Sequence, residues 1–178
     1  MSDATGPSPF AAVALPRDED AGSWLAPIVA HLQSAHWQIG GLNAEAAAAR
    51  RDDCRSPMVL HDLMSGERTK ISQDLGPAAT GCALDTGQLA RAGQAIYRAI
   101  DADVALVIVN KFGAQEAAGA GLRDELLAVA LAGIPLLTTV KPDLVNDWHA
   151  FAGDLGCVLP PRHEDVLAWC RLACRAVA

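Results

Sequence analysis

The stretch Asp103–Arg123, DVALVIVNKFGAQEAAGAGLR, decides the fold. Its apolar run Val104–Val109 passes directly into a polar loop and then into a glycine-punctuated helical pattern. A short run of this kind without polar alternation marks a central parallel strand covered by helices on both faces. In open α/β sheets, ligands sit in the crevice beyond the carboxyl ends of the strands. Asn110, Lys111, Gln115 and Glu116 follow such a strand end and are therefore the first candidate site residues.

Outward from that strand, apolar runs alternate with helical patterns, as βαβ units require. Phe10–Leu15 predicts the first strand, and Leu25, Ile28, Val29 and Leu32 predict a helix from Ser23 to Ala35. Ile39–Leu42 reads as a short second strand, and the alanine-rich segment Asn43–Asp53 as a surface crossing. Met58–Met64 and Thr69–Gln73 flank Ser65-Gly66-Glu67-Arg68 as a hairpin. Asp85, with Gln88 three residues on, has the form of a helix start, after which Leu89, Ala92, Gly93, Ile96 and Ile100 share one face. A further helix is expected from Gly119 to Ala132, ended by Gly133 and Pro135. Leu136–Val140 is the next strand, and a final helix begins near His163, with Val166, Trp169, Cys170, Ala173 and Val177 on one face. The expected fold is a three-layer α/β domain with a mostly parallel sheet and an inserted β-hairpin. Residues 1–9 are expected to be disordered and 10–178 to form one domain.

Composition narrows the function classes. Fourteen Lys plus Arg face 21 Asp plus Glu, a net charge of −7, and that field repels polyanions, which argues against nucleic acid as a partner. The N-terminus MSDATGPSPFAAVALPRDED lacks the basic start and long apolar core of a signal peptide, and no stretch reaches membrane-spanning length. Five irregularly spaced cysteines, without a CxxC pair, suit reduced thiols in a cytoplasm. The five histidines are scattered, with no zinc-binding spacing.

Three segments together resemble one bacterial family: KISQDLGPAATGCALD (Lys70–Asp85), VIVNKFGAQEAAGAGLR (Val107–Arg123), and AGIPLLTTV followed by Trp148 and Phe151-Ala152-Gly153. The chain resembles domain-of-unknown-function family 2478 (DUF2478), whose members look like diverged relatives of P-loop nucleoside triphosphatases. The resemblance implies a P-loop-like three-layer α/β fold; some members look associated with molybdenum transport or nucleotide binding, which makes a nucleotide or molybdate the ligand to consider, and the family brings no established activity. It also makes the polar segment containing Gln73 a second edge of the same cleft.

The phosphate-binding motif GxxxxGK[ST] surrounds phosphates with backbone N–H groups and sets a lysine on their charge. Here that slot reads Arg17-Asp18-Glu19-Asp20-Ala21-Gly22-Ser23-Trp24. Gly22 stands at a motif glycine, but Ser23 takes the place of the lysine, and three acidic residues fill the loop. At the strand end that would carry a Mg²⁺-binding carboxylate stand Asn110 and Lys111, so the ordinary route to Mg²⁺ is missing. The leading expectation is a cytoplasmic protein that binds a small anion or nucleotide without efficient NTP hydrolysis. Lys111, Asn110, Gln115 and the backbone at Gly113 would be the ligands, with Gly22, Ser23 and Gln73 around them. The alternatives are a nucleotide-dependent hydrolase or phosphotransferase with Glu116 or Asp85 as acid or base, and a scaffold or homo-oligomer assembled through the C-terminal helix. The local counter-readings are a Lys111–Glu116 salt bridge, Glu116 as a helix cap, and Asp85 as a cap alone.

Overall fold

The structure is a computed structural model that describes residues 6–45, 58–73 and 84–175. Seven strands form one sheet: β1 (Phe10–Ala14), β2 (Ile39–Ala44), β3 (Val59–Asp62), β4 (Arg68–Lys70), β5 (Leu106–Val109), β6 (Leu136–Val140) and β7 (Gly156–Leu159). Their order is β4-β3-β2-β5-β6-β1-β7. Five strands run parallel, while β3 and β4 form the antiparallel hairpin at one edge. The helices are α1 (Ala21–Ser34), α2 (Thr86–Asp101), α3 (Ala114–Ala117), α4 (Arg123–Ala132), α5 (Val145–Ala152) and α6 (His163–Arg175).

Strand alternation divides the core in two. On β1, Phe10 and Ala12 pack into one apolar cluster with α2, α4 and α5, while Ala11 and Val13 pack into the other with α1 and α6. Because both faces are covered, β5 and β6 are apolar or fully buried along their whole length. The result is the three-layer, mostly parallel architecture expected, consistent with a P-loop-like fold.

Helix ends follow local chemistry. Asp20 caps α1 by accepting from the Ser23 N–H at 2.7 Å, so the helix starts two residues before Ser23. Asp85 caps α2 by accepting from the Gln88 N–H at 3.0 Å. Gly133 closes α4 at φ 72°, a left-handed conformation that an L side chain rarely adopts.

Some expectations need correcting. Asn43 and Ala44 belong to β2, and Asn43 is buried at 8% exposure, so the surface crossing cannot begin at Asn43; residues 46–53 lie outside those described. The predicted Gly119–Ala132 helix splits into the short α3 and a later α4. Strand β7 and helix α5 were not anticipated. Of residues 1–9, the first five lie outside those described; the Ser8 carbonyl accepts from Trp169 Nε1 at 2.9 Å and the Pro9 carbonyl from the Leu136 N–H at 2.9 Å. Val177 also lies outside the described residues. No helix among them is long and apolar enough to cross a membrane.

Candidate anion site at the carboxyl edge of the sheet

Strands β1 and β6 are hydrogen-bonded neighbours, with Ala14 opposite Val140. Beyond β1 the chain turns into α1 on one face, and beyond β6 it turns into α5 on the other. A crevice opens where adjacent connections diverge in this way. Residues 16–20 follow β1 on one side of this divergence and Lys141 follows β6 on the other.

Lys141 reaches into the loop. Its Nζ donates to the carbonyl oxygens of Pro16 at 3.0 Å, Arg17 at 3.4 Å and Glu19 at 2.8 Å. Arg17 also pairs with Asp143, two residues past Lys141, at 3.3 Å. The loop thus turns backbone carbonyls toward an ammonium, and the first turn of α1 receives the Asp20 carboxylate at the Ser23 N–H. The glycine at position 22 has a packing cause, since a β-carbon there would collide with the Ala44 carbonyl oxygen at the end of β2. Ser23 is exposed.

Below this edge runs a buried line of polar side chains. Thr139 Oγ1 donates to Asn110 Oδ1 at 3.4 Å, Asn110 Nδ2 to Asn43 Oδ1 at 3.0 Å, and Asn43 Nδ2 to the Gly22 carbonyl at 3.3 Å. Their exposures of 2%, 6% and 8% make this a high-stakes network: satisfied, it locks four elements together, and broken, it leaves polar groups without water. Thr138 adds a second tie, donating to the Val109 carbonyl at 2.6 Å and accepting from the Phe112 N–H at 3.0 Å. Sequence reading singled out Asn110 but missed Asn43, Thr138 and Thr139. The available signal was a polar residue at the end of each of three apolar strands.

The loop after β5 is organised by Glu116. Its buried carboxylate accepts from the Gly113 N–H at 2.9 Å through Oε2 and from the Leu122 N–H at 2.9 Å through Oε1. This pins the loop at both ends and occupies the Gly113 donor. Gly121, at φ 61°, admits no β-carbon because it would collide with Glu116 Oε1. Arg123 donates to the Glu116 carbonyl at 2.9 Å and lies 5.0 Å over the Phe151 ring.

Lys111 is different. It is exposed and makes no hydrogen bond or ion pair with any described residue, so the salt bridge to Glu116 does not form. Its stem folds back over Gly113, where a β-carbon would lie 3.4 Å from Lys111 Cε. Gln115 is exposed beside it.

The structure therefore brings Asn110, Lys111, Gly113, Gln115, Gly22 and Ser23 to one edge. Gln73 lies just beyond the outermost strand β4, with β3 and β2 between that strand and β5, and bonds the Leu84 carbonyl at 3.3 Å. Asp85 is committed to its helix cap. No cluster of His, Cys, Asp and Glu among the described residues is arranged to hold a metal. Burial pushes the Cys170 thiol up to about 12 and the Cys174 thiol up to about 11, which keeps both protonated near neutral pH and unsuited to act as thiolate nucleophiles.

Comparison with known proteins gives two matches. The family model described as protein of unknown function (DUF2478) matches residues 10–169. A protein of Bradyrhizobium diazoefficiens named molybdenum import ATP-binding protein ModC 2 is 38% identical over 165 residues, which make up 93% of this chain and 18% of that protein. The chain thus spans less than a fifth of the curated relative it matches. No solved structure matches it.

Proposed function

The chain belongs to the DUF2478 family, and on that premise we propose that it is a small-anion-binding domain, linked to molybdate handling, that does not hydrolyse nucleoside triphosphates efficiently. The observation that carries this reading is Lys111: an exposed ammonium just past a strand end that pairs with no described residue, beside a buried amide floor, in a protein whose net charge is −7. With acidic side chains in excess, a lysine that pairs with none of the described ones at the ligand-binding edge of an α/β sheet is suited to an incoming anion.

Two further features favour binding over hydrolysis. The β5 end carries an amide, not a carboxylate, so it offers no charged ligand to Mg²⁺. The 16–20 loop also carries Asp18, Glu19 and Asp20, and the repulsion they exert rises with each charge on the ligand. A small dianion is penalised less than a triphosphate. The name of the Bradyrhizobium relative supports molybdate as the first anion to test.

Thermal stability measured against molybdate, tungstate, sulfate, phosphate, ATP and GTP, with and without Mg²⁺, tests this reading. A ligand at about 100 times its Kd stabilises by about 2.7 kcal/mol, a rise in Tm of roughly 5–10 °C for a domain of this size. Lys111→Ala should weaken a dianion roughly tenfold while leaving unliganded stability within about 0.5 kcal/mol. Unchanged affinity in that variant, or no shift from any anion, overturns the proposal; the second outcome favours an interaction module.

A further inference from the structure

The 17–24 slot lacks its lysine in sequence but not in space. We propose that Lys141, at the end of β6, is the anion-binding cation of the loop that follows β1, and that the anion it receives is a tetrahedral dianion. This deepens the anion-binding reading above and rests on it.

The argument starts from where the ammonium is. Lys141 Nζ lies within 2.8–3.4 Å of three loop carbonyls, those of Pro16, Arg17 and Glu19, although it comes from a different strand. A lysine projecting from β6 reaches the loop because β6 lies directly beside β1 with Val140 opposite Ala14. That is also where the connections of the two strands part to opposite faces, which is the position ligands take in sheets of this kind. A phosphate-binding loop needs one lysine placed on the anion's charge. The position that would carry it in the local sequence is Ser23, which is exposed, with its N–H on Asp20.

The three carbonyl contacts of the ammonium are of the kind an anion can replace. A lysine ammonium has three donors. Its contact to the Arg17 carbonyl, at 3.4 Å, is the longest of the three and is the one to yield. A bond from the ammonium to an oxyanion oxygen is charged on both sides and roughly twice as strong as one to a neutral carbonyl. The contacts to Pro16 and Glu19 remain and keep the cation in the crevice when the anion arrives. Lys111 follows the neighbouring strand β5 by two residues, so two lysines stand beyond the carboxyl ends of adjacent strands. The carboxylates of Asp18, Glu19 and Asp20 surround the same loop. They offset part of this positive charge and set the preference for two negative charges over four.

The test follows the Lys141 ammonium in the intact protein. Proton–nitrogen NMR of lysine NH₃⁺ groups and of backbone amides is recorded while molybdate, tungstate, sulfate, phosphate or ATP is added. The Lys141 ammonium signal and the amides of residues 16–23 should move together on adding molybdate, and Lys141→Met should lower molybdate affinity at least tenfold. ATP should bind at least tenfold more weakly than molybdate. If molybdate binds but the Lys141 signal stays in place, or Lys141→Met keeps its affinity within twofold, this assignment falls and the anion-binding reading stands on Lys111. If no anion binds the unmodified protein, both fall. The Lys141 signal decides the matter even where the Met variant fails to fold.

Discussion

Lys141 and Glu19 are 122 residues apart in the chain, yet the Lys141 ammonium donates to the Glu19 backbone carbonyl at 2.8 Å. The contact is to the carbonyl and not to the carboxylate, so the cation organises the path of the loop's backbone. Without that cation, the Arg17 and Glu19 carbonyls would need other partners, the Pro16 carbonyl would keep the Glu19 N–H, and the loop would lose this tie to the end of β6.

Lys141→Met should therefore loosen the loop before it affects the rest of the fold. Bonds to a charged donor are worth more than neutral ones, but the site is solvent-accessible, so a loss of about 1–2 kcal/mol is expected. Native-state hydrogen exchange should show faster exchange confined to residues near 16–23, and uniform acceleration across β1, β5 and β6 would contradict this.

Asn110→Asp replaces a donor with an acceptor directly opposite Asn43 Oδ1. A buried carboxylate that keeps only the long Thr139 Oγ1 contact, at 3.4 Å, and faces the Asn43 oxygen is held toward its neutral form, so its folded pKa rises above the unfolded value. The native state of the variant then binds the extra proton, and its stability falls as pH rises above about 4. Urea denaturation at pH 4 and pH 7 should show a larger deficit relative to the unmodified protein at pH 7. An equal deficit at both values would mean that the amide line is not closed to water.

Asp62 provides the opposite sign. Burial alone would raise its carboxyl, but hydrogen bonds from Ser65, from Arg98 at 3.0 Å and from the Met64 and Ser65 N–H groups hold it below the usual value. A carboxyl depressed in the folded state adds stability above its unfolded pKa, near 4, and that stability is lost as pH falls through the folded pKa. Asp62→Asn should cost about 1–3 kcal/mol at pH 7, with the difference from the unmodified protein shrinking below about pH 4. A pH-independent difference would place the effect in packing.

Glu116→Gln tests whether that carboxylate holds the β5 loop. A glutamine amide can accept only through its single oxygen, so either the Gly113 or the Leu122 N–H loses its partner, at about 1–3 kcal/mol. Gly121→Ala should be comparably damaging through its collision with Glu116 Oε1 and its φ of 61°. Stability near that of the unmodified protein in Glu116→Gln would free this carboxylate for a chemical role and revive the acid-base alternative.

Much of the architecture was legible in the chain because both faces of the sheet are buried. Leu136–Val140 and Phe10–Ala14 emerge as expected, since apolar runs between helical patterns leave few alternatives. The capping roles of Asp85 and Gly133 were equally legible, because capping is local chemistry. Strand β7 was not: Gly156-Cys157-Val158-Leu159 is an edge strand, half-buried throughout, with no alternation to read. Helix α3 and the late start of α4 were hidden because Glu116 reaches six residues forward to the Leu122 N–H, which no periodicity signals.

By itself, the sequence determined the α/β class, the absence of a lysine from the 17–24 slot and the presence of polar residues at the end of β5. These are matters of spacing and residue type. Only the tertiary structure decided that Asn43, Asn110 and Thr139 form one buried line, that Glu116 serves the backbone while Lys111 pairs with no described residue, and that Lys141 enters the loop after β1. The physical reason is that parallel strands adjacent in a sheet are distant in the chain. Their ends meet only after the crossovers have packed, so a residue 122 positions away can occupy a place the local sequence leaves empty.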